Sequence, residues 1–130
     1  MNYLADTHAL VWYLTGDRRL STVADELFQQ AEKNSITLYI PTIVLAETEA
    51  VFKKKYQNNA RLNLFLQSLS LYPAIHLYPF DEEVFVQYMT TPSHLEIHDR
   101  IIAATAQLTK SVIITKDSIL RKAKDIKTVW

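Results

Sequence analysis

The sequence contains no cysteine and only one glycine, Gly16, in 130 residues. Without cysteine the chain forms no disulfides, no iron–sulfur clusters and no thiolate zinc sites. The phosphate-binding loop of P-loop enzymes and the dinucleotide fingerprint each need several glycines, because the backbone must approach phosphate closely. The composition therefore excludes nucleotide-cofactor enzymes of both classes.

Neither sign of charge dominates, and no hydrophobic run is long. The 14 basic and 14 acidic residues cancel, so no overall positive field indicates a nucleic-acid-binding protein. Local groups, namely 53–55 with Arg61, the pair Arg18 and Arg19, Arg100 and Lys116, are candidates to face phosphate, although a solvated helix face is the commoner explanation for any one of them. The longest apolar runs fall short of the roughly 20 residues that a bilayer span needs, and the N-terminus does not resemble a secretory signal. We expect a soluble, cytoplasmic protein that does not cross a membrane.

Apolar runs of strand length alternate with helical patterns along the whole chain. A length of 130 residues and 48% hydrophobic residues suit one core, so we expect a single domain over 1–130. Parallel strands need helical crossovers, which predicts a three-layer α/β/α sandwich with a short, mainly parallel sheet of four or five strands. The predicted strands are 2–6, 36–40, 75–78, 112–114 and 127–130; the predicted helices are 7–14, 21–33, 42–56, 59–71, 81–89, 98–109 and a short one from 117.

Four acidic residues lie where a short apolar run meets or becomes a helix: Asp6, Glu47, Asp99 and Asp117. The carboxyl ends of parallel strands converge on one crevice, so this layout predicts a single pocket lined by carboxylates. Helix capping or the helix dipole explains Asp6, Asp99 and Asp117 one by one. Both interpretations stay open for these three.

Glu47 lies in the interior of its predicted helix, where no backbone N–H is free to be capped. At 100° per residue it falls between Ala50 and Val51, within the apolar stripe. A carboxylate on a buried face is costly unless a cation or a donor meets it; a buried arginine or a backbone donor would also satisfy it. Glu96, three residues before Asp99, shares a face with it only if the helix begins before Ile97.

Several carboxylates held close together cannot all ionise without a cation. Oxygen ligands select hard ions, so we expect Mg²⁺ or Mn²⁺. Such ions activate water and stabilise charge on phosphate, which makes phosphodiester hydrolysis the natural chemistry. Of the four histidines, His8, His76, His94 and His98, none forms a zinc-type pair with an acid; only His98, beside Asp99, is expected to approach the pocket.

Four segments carry a family resemblance: Asp-Thr-His-Ala-Leu-Val-Trp at 6–12, the Glu47 helix after Ile-Pro at 40–41, His-Asp-Arg-Ile-Ile-Ala-Ala-Thr-Ala at 98–106, and Thr-Lys-Asp at 115–117. In order and spacing they resemble the PIN domain, and specifically the VapC-like toxin ribonucleases of type II toxin–antitoxin pairs. The resemblance extends over essentially the full chain.

The resemblance implies a metal-dependent endoribonuclease in which Asp6, Glu47, Asp99 and Asp117 are catalytic and hold Mg²⁺ or Mn²⁺. Thr115 matches a hydroxyl residue that supports this cluster. Many relatives carry aspartate where this chain has Glu96, which leaves open whether Glu96 is a ligand. The family also implies a homodimer and a cognate antitoxin that obstructs the site. Single-stranded or loop RNA is the expected substrate, with Arg100, Lys116, Lys53 and Lys54 as contact candidates.

Two alternatives accompany the toxin hypothesis. A receiver-like signalling module shares the length, the α/β alternation and a magnesium pocket, but it should have an acid pair after the first strand, where this chain has Asp6 followed by Thr7 and His8. A PIN-type nuclease that processes RNA outside a toxin pair, or cleaves DNA, would have the same pocket. Labelling by a phosphodonor and the presence of a neighbouring antitoxin gene discriminate these alternatives.

Overall fold

The computed structural model describes all 130 residues and contains one five-stranded sheet. Its strands in chain order are β1 (Asn2–Ala5), β2 (Thr37–Pro41), β3 (Ile75–Tyr78), β4 (Val112–Ile114) and β5 (Thr128–Val129). In space the order is β3-β2-β1-β4-β5, and every neighbouring pair is parallel. The predicted short parallel sheet is confirmed, with five strands.

Seven α-helices connect the strands, and none is long and apolar enough to span a membrane. They are α1 (Thr7–Thr15), α2 (Thr22–Glu32), α3 (Thr42–Lys55), α4 (Ala60–Ser68), α5 (Glu82–Tyr88), α6 (Ile97–Thr109) and α7 (Ser118–Lys122). The predicted helix 59–71 is divided into α4 and a 3₁₀ turn at Leu69–Leu71. The last predicted strand, 127–130, is only two residues long in the structure.

The helices lie on both faces of the sheet because the chain moves in two directions across it. The crossovers from β1 to β2 and from β2 to β3 run toward one edge, whereas those from β3 to β4 and from β4 to β5 run toward the other. Right-handed crossovers in opposite directions place their helices on opposite faces. The α/β/α architecture follows, and its topological switch point lies between β1 and β4, where a crevice opens at the carboxyl ends of the strands.

The central strands are buried on both faces, which fits their apolar composition. Leu4, Leu38, Ile40, Ile113 and Ile114 are completely inaccessible to solvent. They belong to one hydrophobic core that also contains the two large aromatic side chains of α2 and α3, Phe28 and Phe52. The core therefore fixes the positions of the strand ends that face the crevice.

The end of α1 explains the position of the only glycine. Gly16 has a φ of 66°, a left-handed conformation that glycine adopts without strain, and its N–H donates to the last carbonyls of the helix at Trp12 and Tyr13. This cap turns the chain so that α2 can begin at its own cap, Ser21, whose hydroxyl accepts from the Ala24 N–H. The predicted helix 7–14 is confirmed, and it extends by one residue, to Thr15.

Candidate active site

Asp6 follows β1 directly and is 6% exposed. Its Oδ1 accepts a hydrogen bond of 2.9 Å from the Ala9 N–H, so it caps α1 as the capping interpretation predicts. Burial raises the pKa of the Asp6 carboxyl, and hydrogen bonds from the Thr115 hydroxyl and the Ala9 N–H oppose that rise. The side chain also lines a cavity at the switch point; capping and pocket lining are compatible because a carboxylate has two oxygens.

Asp117 and Thr115 follow β4, the neighbour of β1 in the sheet. Asp117 caps α7, with Oδ1 accepting from the N–H groups of Ile119 at 2.7 Å and Leu120 at 3.3 Å. Its own N–H donates to Thr115 Oγ1 at 3.0 Å. Because the fully buried Thr115 hydroxyl also hydrogen-bonds to Asp6, it connects the Asp6 carboxylate with the backbone of Asp117 at the ends of the central strands.

Asp99 occupies the first turn of α6, three residues after Glu96. The pKa of the Asp99 carboxyl is raised to about 6, first by burial and then by the negative charges of Asp117, Glu96, Glu47 and Asp6. The helix dipole favours the ionised form at this position, so burial and repulsion outweigh it. The charges of all the other predicted acids therefore raise the pKa of the Asp99 carboxyl.

Glu47 reaches the same place from the middle of α3. Its Oε1 accepts a hydrogen bond of 2.8 Å from the Thr7 hydroxyl, and its Oε2 lies 2.9 Å from His98 Nδ1. The predicted approach of His98 to the pocket is confirmed, whereas the contact with Thr7 was not foreseen. The two carboxylate oxygens of Glu47 are therefore held by the Thr7 hydroxyl and the His98 imidazole. Neither a buried arginine nor a backbone donor takes part.

The predicted burial of Glu47 within an apolar stripe is wrong. The buried residues of α3 are Val44, Thr48 and Phe52, while Ala50 is exposed and the Glu47 side chain is 27% exposed. Alanine carries little information about which helix face is buried, so counting Ala50 as apolar shifted the predicted stripe. Glu47 lies on the flank of the buried face, where its carboxylate meets the cavity.

The acids converge on a cavity of about 430 Å³ at the switch point. Its polar lining residues are Asp6, Thr7, His8, Glu47, Glu96, His98, Asp99 and Asp117. A larger cavity of about 550 Å³ lies at the opposite end of the sheet, beside Asn2, Val112 and Lys127, and Asp125 is its only acid. We therefore assign the chemistry to the smaller cavity, which we call the acid cavity.

Two cavity residues were not predicted to belong to the site. The sequence pattern assigned Thr7 no role in the site, and of the four histidines only His98 was expected to approach the pocket. Both follow Asp6 in the first turn of α1. This position was a usable signal, because the N-terminus of a helix that leaves a central strand faces the crevice at the strand ends.

The four basic candidates for RNA contact lie outside the cavity lining. The Arg100 guanidinium lies over the Tyr88 ring, 4.0 Å from its centroid, and donates to Thr91 Oγ1 and to the Tyr88 carbonyl. It is therefore engaged with α5 and the loop that follows α5, which argues against the predicted role in RNA contact. Lys116 is exposed, with Nζ 5.9 Å from the centroid of the Trp12 ring.

Lys53 and Lys54 are exposed in the last turn of α3. Lys54 lies two helical turns beyond Glu47 and shares its face of the helix, whereas Lys53 points away from that face. Lys54 is therefore the better placed of the two to meet a strand that leaves the acid cavity along α3.

The chemistry of the donor set fits a hard divalent cation. Carboxylate oxygens dominate the lining, and their mutual repulsion raises the pKa of Asp99, which a divalent cation would relieve. With the side chains in the positions seen in the structure, no three histidine, aspartate or glutamate residues are close enough together to hold one ion. The acids thus influence one another across the cavity, and ligation would require their side chains to move together.

We expect Thr7→Val to lower the free energy of unfolding by about 1 kcal/mol, because it removes a partly buried hydrogen bond to a carboxylate without changing the shape of the side chain. Urea denaturation measures the change. Thr42→Val is a matched control, since Thr42 is also the first residue of its helix but is exposed. If Thr7→Val costs the same in a Glu47→Ala background, the contact does not contribute.

The family model of the PIN domain matches residues 3–126. No curated protein sequence matches the chain.

Solved structures with the same fold include three that match nearly the whole chain. VapBC2 from Rickettsia felis, bound to a DNA fragment from its promoter, is 20% identical with a TM-score of 0.75, covering 100% of this chain and 99% of that chain. A toxin–antitoxin complex from Klebsiella pneumoniae is 24% identical with a TM-score of 0.67, covering 98% and 96%. FitAcB from Neisseria gonorrhoeae is 21% identical with a TM-score of 0.70, covering 100% and 97%. At these identities the similarity establishes the fold alone.

Proposed function

The chain belongs to the PIN domain family, and from its acid cavity we infer that it is a metal-dependent endoribonuclease that acts as the toxin of a toxin–antitoxin pair. The observation that carries the nuclease proposal is the convergence of five carboxylates on one cavity at the switch point of the sheet. The toxin half of the proposal is supported by the structural neighbour from Klebsiella pneumoniae, whose name describes a toxin–antitoxin complex, and by the resemblance of the sequence to VapC-like toxins. We propose that 1–130 acts as one nuclease domain.

In the proposed mechanism Asp6, Glu47, Asp99 and Asp117 would hold Mg²⁺ or Mn²⁺, and the exposed Glu96, at the N-cap of α6, would join them at the rim. A bound divalent cation lowers the pKa of water and stabilises charge on the phosphate. Without such a cation the five carboxylates would repel an RNA phosphate. Cleavage is therefore expected to need the metal for binding of the scissile phosphate as well as for the chemistry.

The residues of the chain prepare this site by holding the carboxylates in place. Thr115 and the Ala9 N–H fix Asp6, while the first turn of α7 fixes Asp117. Thr7 and His98 hold the two oxygens of Glu47. Asp99 has no hydrogen bond of this kind and an elevated pKa, so its ionisation and position should respond most to the metal.

The substrate we propose is single-stranded or loop RNA, because the bases there can be splayed away from the scissile phosphate. A cognate antitoxin would inhibit the enzyme by presenting arginine or lysine to the carboxylates. A homodimer is part of the same proposal. Of the four basic candidates, Lys116 and Lys54 keep their proposed contact with RNA.

Two alternatives to the toxin are a receiver-like signalling module and a PIN nuclease that acts outside a toxin pair. Membership in the PIN family gives no support to a receiver-like signalling module. A PIN nuclease that processes RNA outside a toxin pair would use the same cavity. Growth arrest on expression of this chain, relieved by coexpression of a neighbouring small protein that binds it, would favour the toxin; the absence of both effects would favour RNA processing.

The test of the nuclease is cleavage of a mixed-sequence single-stranded RNA by the purified protein with Mn²⁺, with Mg²⁺ and with EDTA. We expect cutting with either metal and none with EDTA. Asp81→Asn is a suitable control, because Asp81 caps α5 through the Val84 N–H, does not line the acid cavity, and can be replaced by another capping residue. Equal cutting in EDTA would contradict a metal-dependent mechanism.

A further inference from the structure

Beside the acid cavity, a buried indole is surrounded by cations and aromatic rings. The Trp12 ring lies 4.8 Å from the Arg19 guanidinium carbon and 5.9 Å from Lys116 Nζ, measured to the ring centroid. Its centroid is 5.5 Å from that of His8 and 5.7 Å from that of Trp130. We call these five residues the Trp12 platform.

The platform adjoins the acid cavity and lies at the same end of the sheet. His8 belongs to both, because it lines the cavity and packs against Trp12. Lys116 is the residue between Thr115 and Asp117, and Trp130 follows β5, the strand next to β4. A strand that leaves the cavity across β4 toward β5 would therefore pass over Lys116.

The positive charges of the platform are only partly neutralised. Lys116 forms no ion pair in the structure, since the two ion pairs present are Arg19 with Asp17 and His98 with Glu47. Arg19 uses Nε and Nη2 to donate to the Asp17 carboxylate, which leaves Nη1 without a partner. Both cations are exposed to solvent and can donate to an incoming anion.

The indole orients these cations and does not itself offer a stacking surface. Trp12 is only 7% exposed, so an RNA base cannot lie flat on its ring. A cation above an aromatic face is attracted to it and restrained there, which reduces the side-chain entropy that would be lost when a phosphate binds. The geometry therefore favours recognition of the phosphate backbone over recognition of bases.

We propose that the Trp12 platform binds the phosphate backbone of single-stranded RNA where the strand leaves the acid cavity, with Lys116 and Arg19 as the donors. The proposal rests on the proposed ribonuclease function and adds to it a location for the flanking part of the substrate. An acidic cavity repels a polyanion, so the strand needs compensating cations on its flanks. Phosphate contacts of this kind position the strand and carry no sequence information directly.

The test measures the affinity of a short, fluorescently labelled mixed-sequence RNA in EDTA, where a metal-dependent enzyme cannot cut it, at several salt concentrations. For the Arg19→Gln/Lys116→Gln variant we expect about tenfold weaker binding at low salt, and a salt dependence with a slope reduced by about 1.4, or about 0.7 for each lost phosphate contact. The Arg19→Lys/Lys116→Arg variant should bind as the wild type does.

The matched control is Lys124→Gln/Lys127→Gln, which removes two exposed positive charges just before β5, at the opposite end of the sheet. It should retain the slope of the wild type, and thermal denaturation should confirm that each variant is folded. The platform proposal is overturned if the Arg19/Lys116 variant binds RNA with the affinity and slope of the wild type, or if the control loses as much.

Cleavage with Mn²⁺ separates failure of this proposal from failure of the proposed function. A wild-type protein that cuts RNA, with an Arg19/Lys116 variant that binds and cuts equally well, would retain the nuclease and reject the platform. If the wild-type protein binds RNA through the platform but cuts none, the nuclease proposal is rejected and the Trp12 platform is retained. If the wild-type protein neither binds nor cuts RNA, both proposals fall.

Discussion

Asp99→Asn should abolish RNA cleavage and, in the absence of metal, should leave the protein at least as stable as the wild type. Asparagine keeps the size of the side chain but removes a charge that the proposed mechanism needs for the metal and the phosphate. Loss of one group that stabilises charge in a transition state costs at least about a hundredfold in rate. Cleavage of labelled RNA with Mn²⁺ measures the loss, and thermal denaturation in EDTA measures the stability.

The expected stability follows from the balance of charges at Asp99. The N-terminus of α6 favours a negative charge there by about 0.3–1 kcal/mol, but the pKa of about 6 shows that burial and the neighbouring acids outweigh this gain. Removing the charge therefore relieves repulsion in the folded protein. Full activity in Asp99→Asn, or a cleavage loss that only accompanies unfolding, would contradict the assignment.

The same carboxyl predicts a pH dependence of stability in the metal-free protein. The pKa of Asp99 rises from 3.8 to about 6 on folding, so between these values the folded state binds more protons than the unfolded state. The free energy of unfolding should then fall as the pH rises from about 4 to about 6. Urea denaturation in EDTA at several pH values should show that the free energy of unfolding falls less steeply with pH for Asp99→Asn. Part of the pH dependence should persist in that variant, because burial also raises the pKa of Asp6. An identical fall in both proteins would contradict the predicted proton uptake.

The order of the elements could be predicted because local signals mark each of them. Apolar runs of strand length define β1 to β4, and Gly16, Ser21 and Asp81 mark helix ends by their capping chemistry. A regular alternation of strands and helices then leaves few topologies, since crossovers are right-handed. The convergence of the acids was predictable for the same reason: Asp6 and Asp117 follow neighbouring parallel strands.

The surroundings of individual side chains could not be predicted in this way. The angular spacing of residues along α3 does not reveal that its buried face consists of Val44, Thr48 and Phe52. The buried face depends on which elements pack against the helix. For the same reason no local pattern pairs Thr7 with Glu47, which are 40 residues apart in the chain. Its charge and its place beside Asp99 made Arg100 a candidate for RNA contact, whereas its partners come from a helix and a loop that only folding brings beside it.

Arg100→Met should destabilise the protein by about 2 kcal/mol without directly weakening RNA binding. The guanidinium donates to Thr91 Oγ1 at 3.0 Å and to the Tyr88 carbonyl at 3.1 Å, and it covers the Tyr88 ring. Hydrogen bonds from a charged donor contribute about 1.5–3 kcal/mol, and a cation above a ring contributes about 0.5–2 kcal/mol. Methionine retains an apolar side chain, so the change removes mainly these polar contacts. Urea denaturation measures the loss.

The effect should concentrate in α5, because a seven-residue helix is too short to be stable alone and depends on its packing against α6. Backbone amide exchange in α5 should therefore accelerate more than exchange in the central strands. Arg121→Met is the matched control, since Arg121 is exposed on α7 and its loss should change stability little. Unchanged stability together with weaker RNA binding in Arg100→Met would restore the role in RNA contact that the sequence suggested.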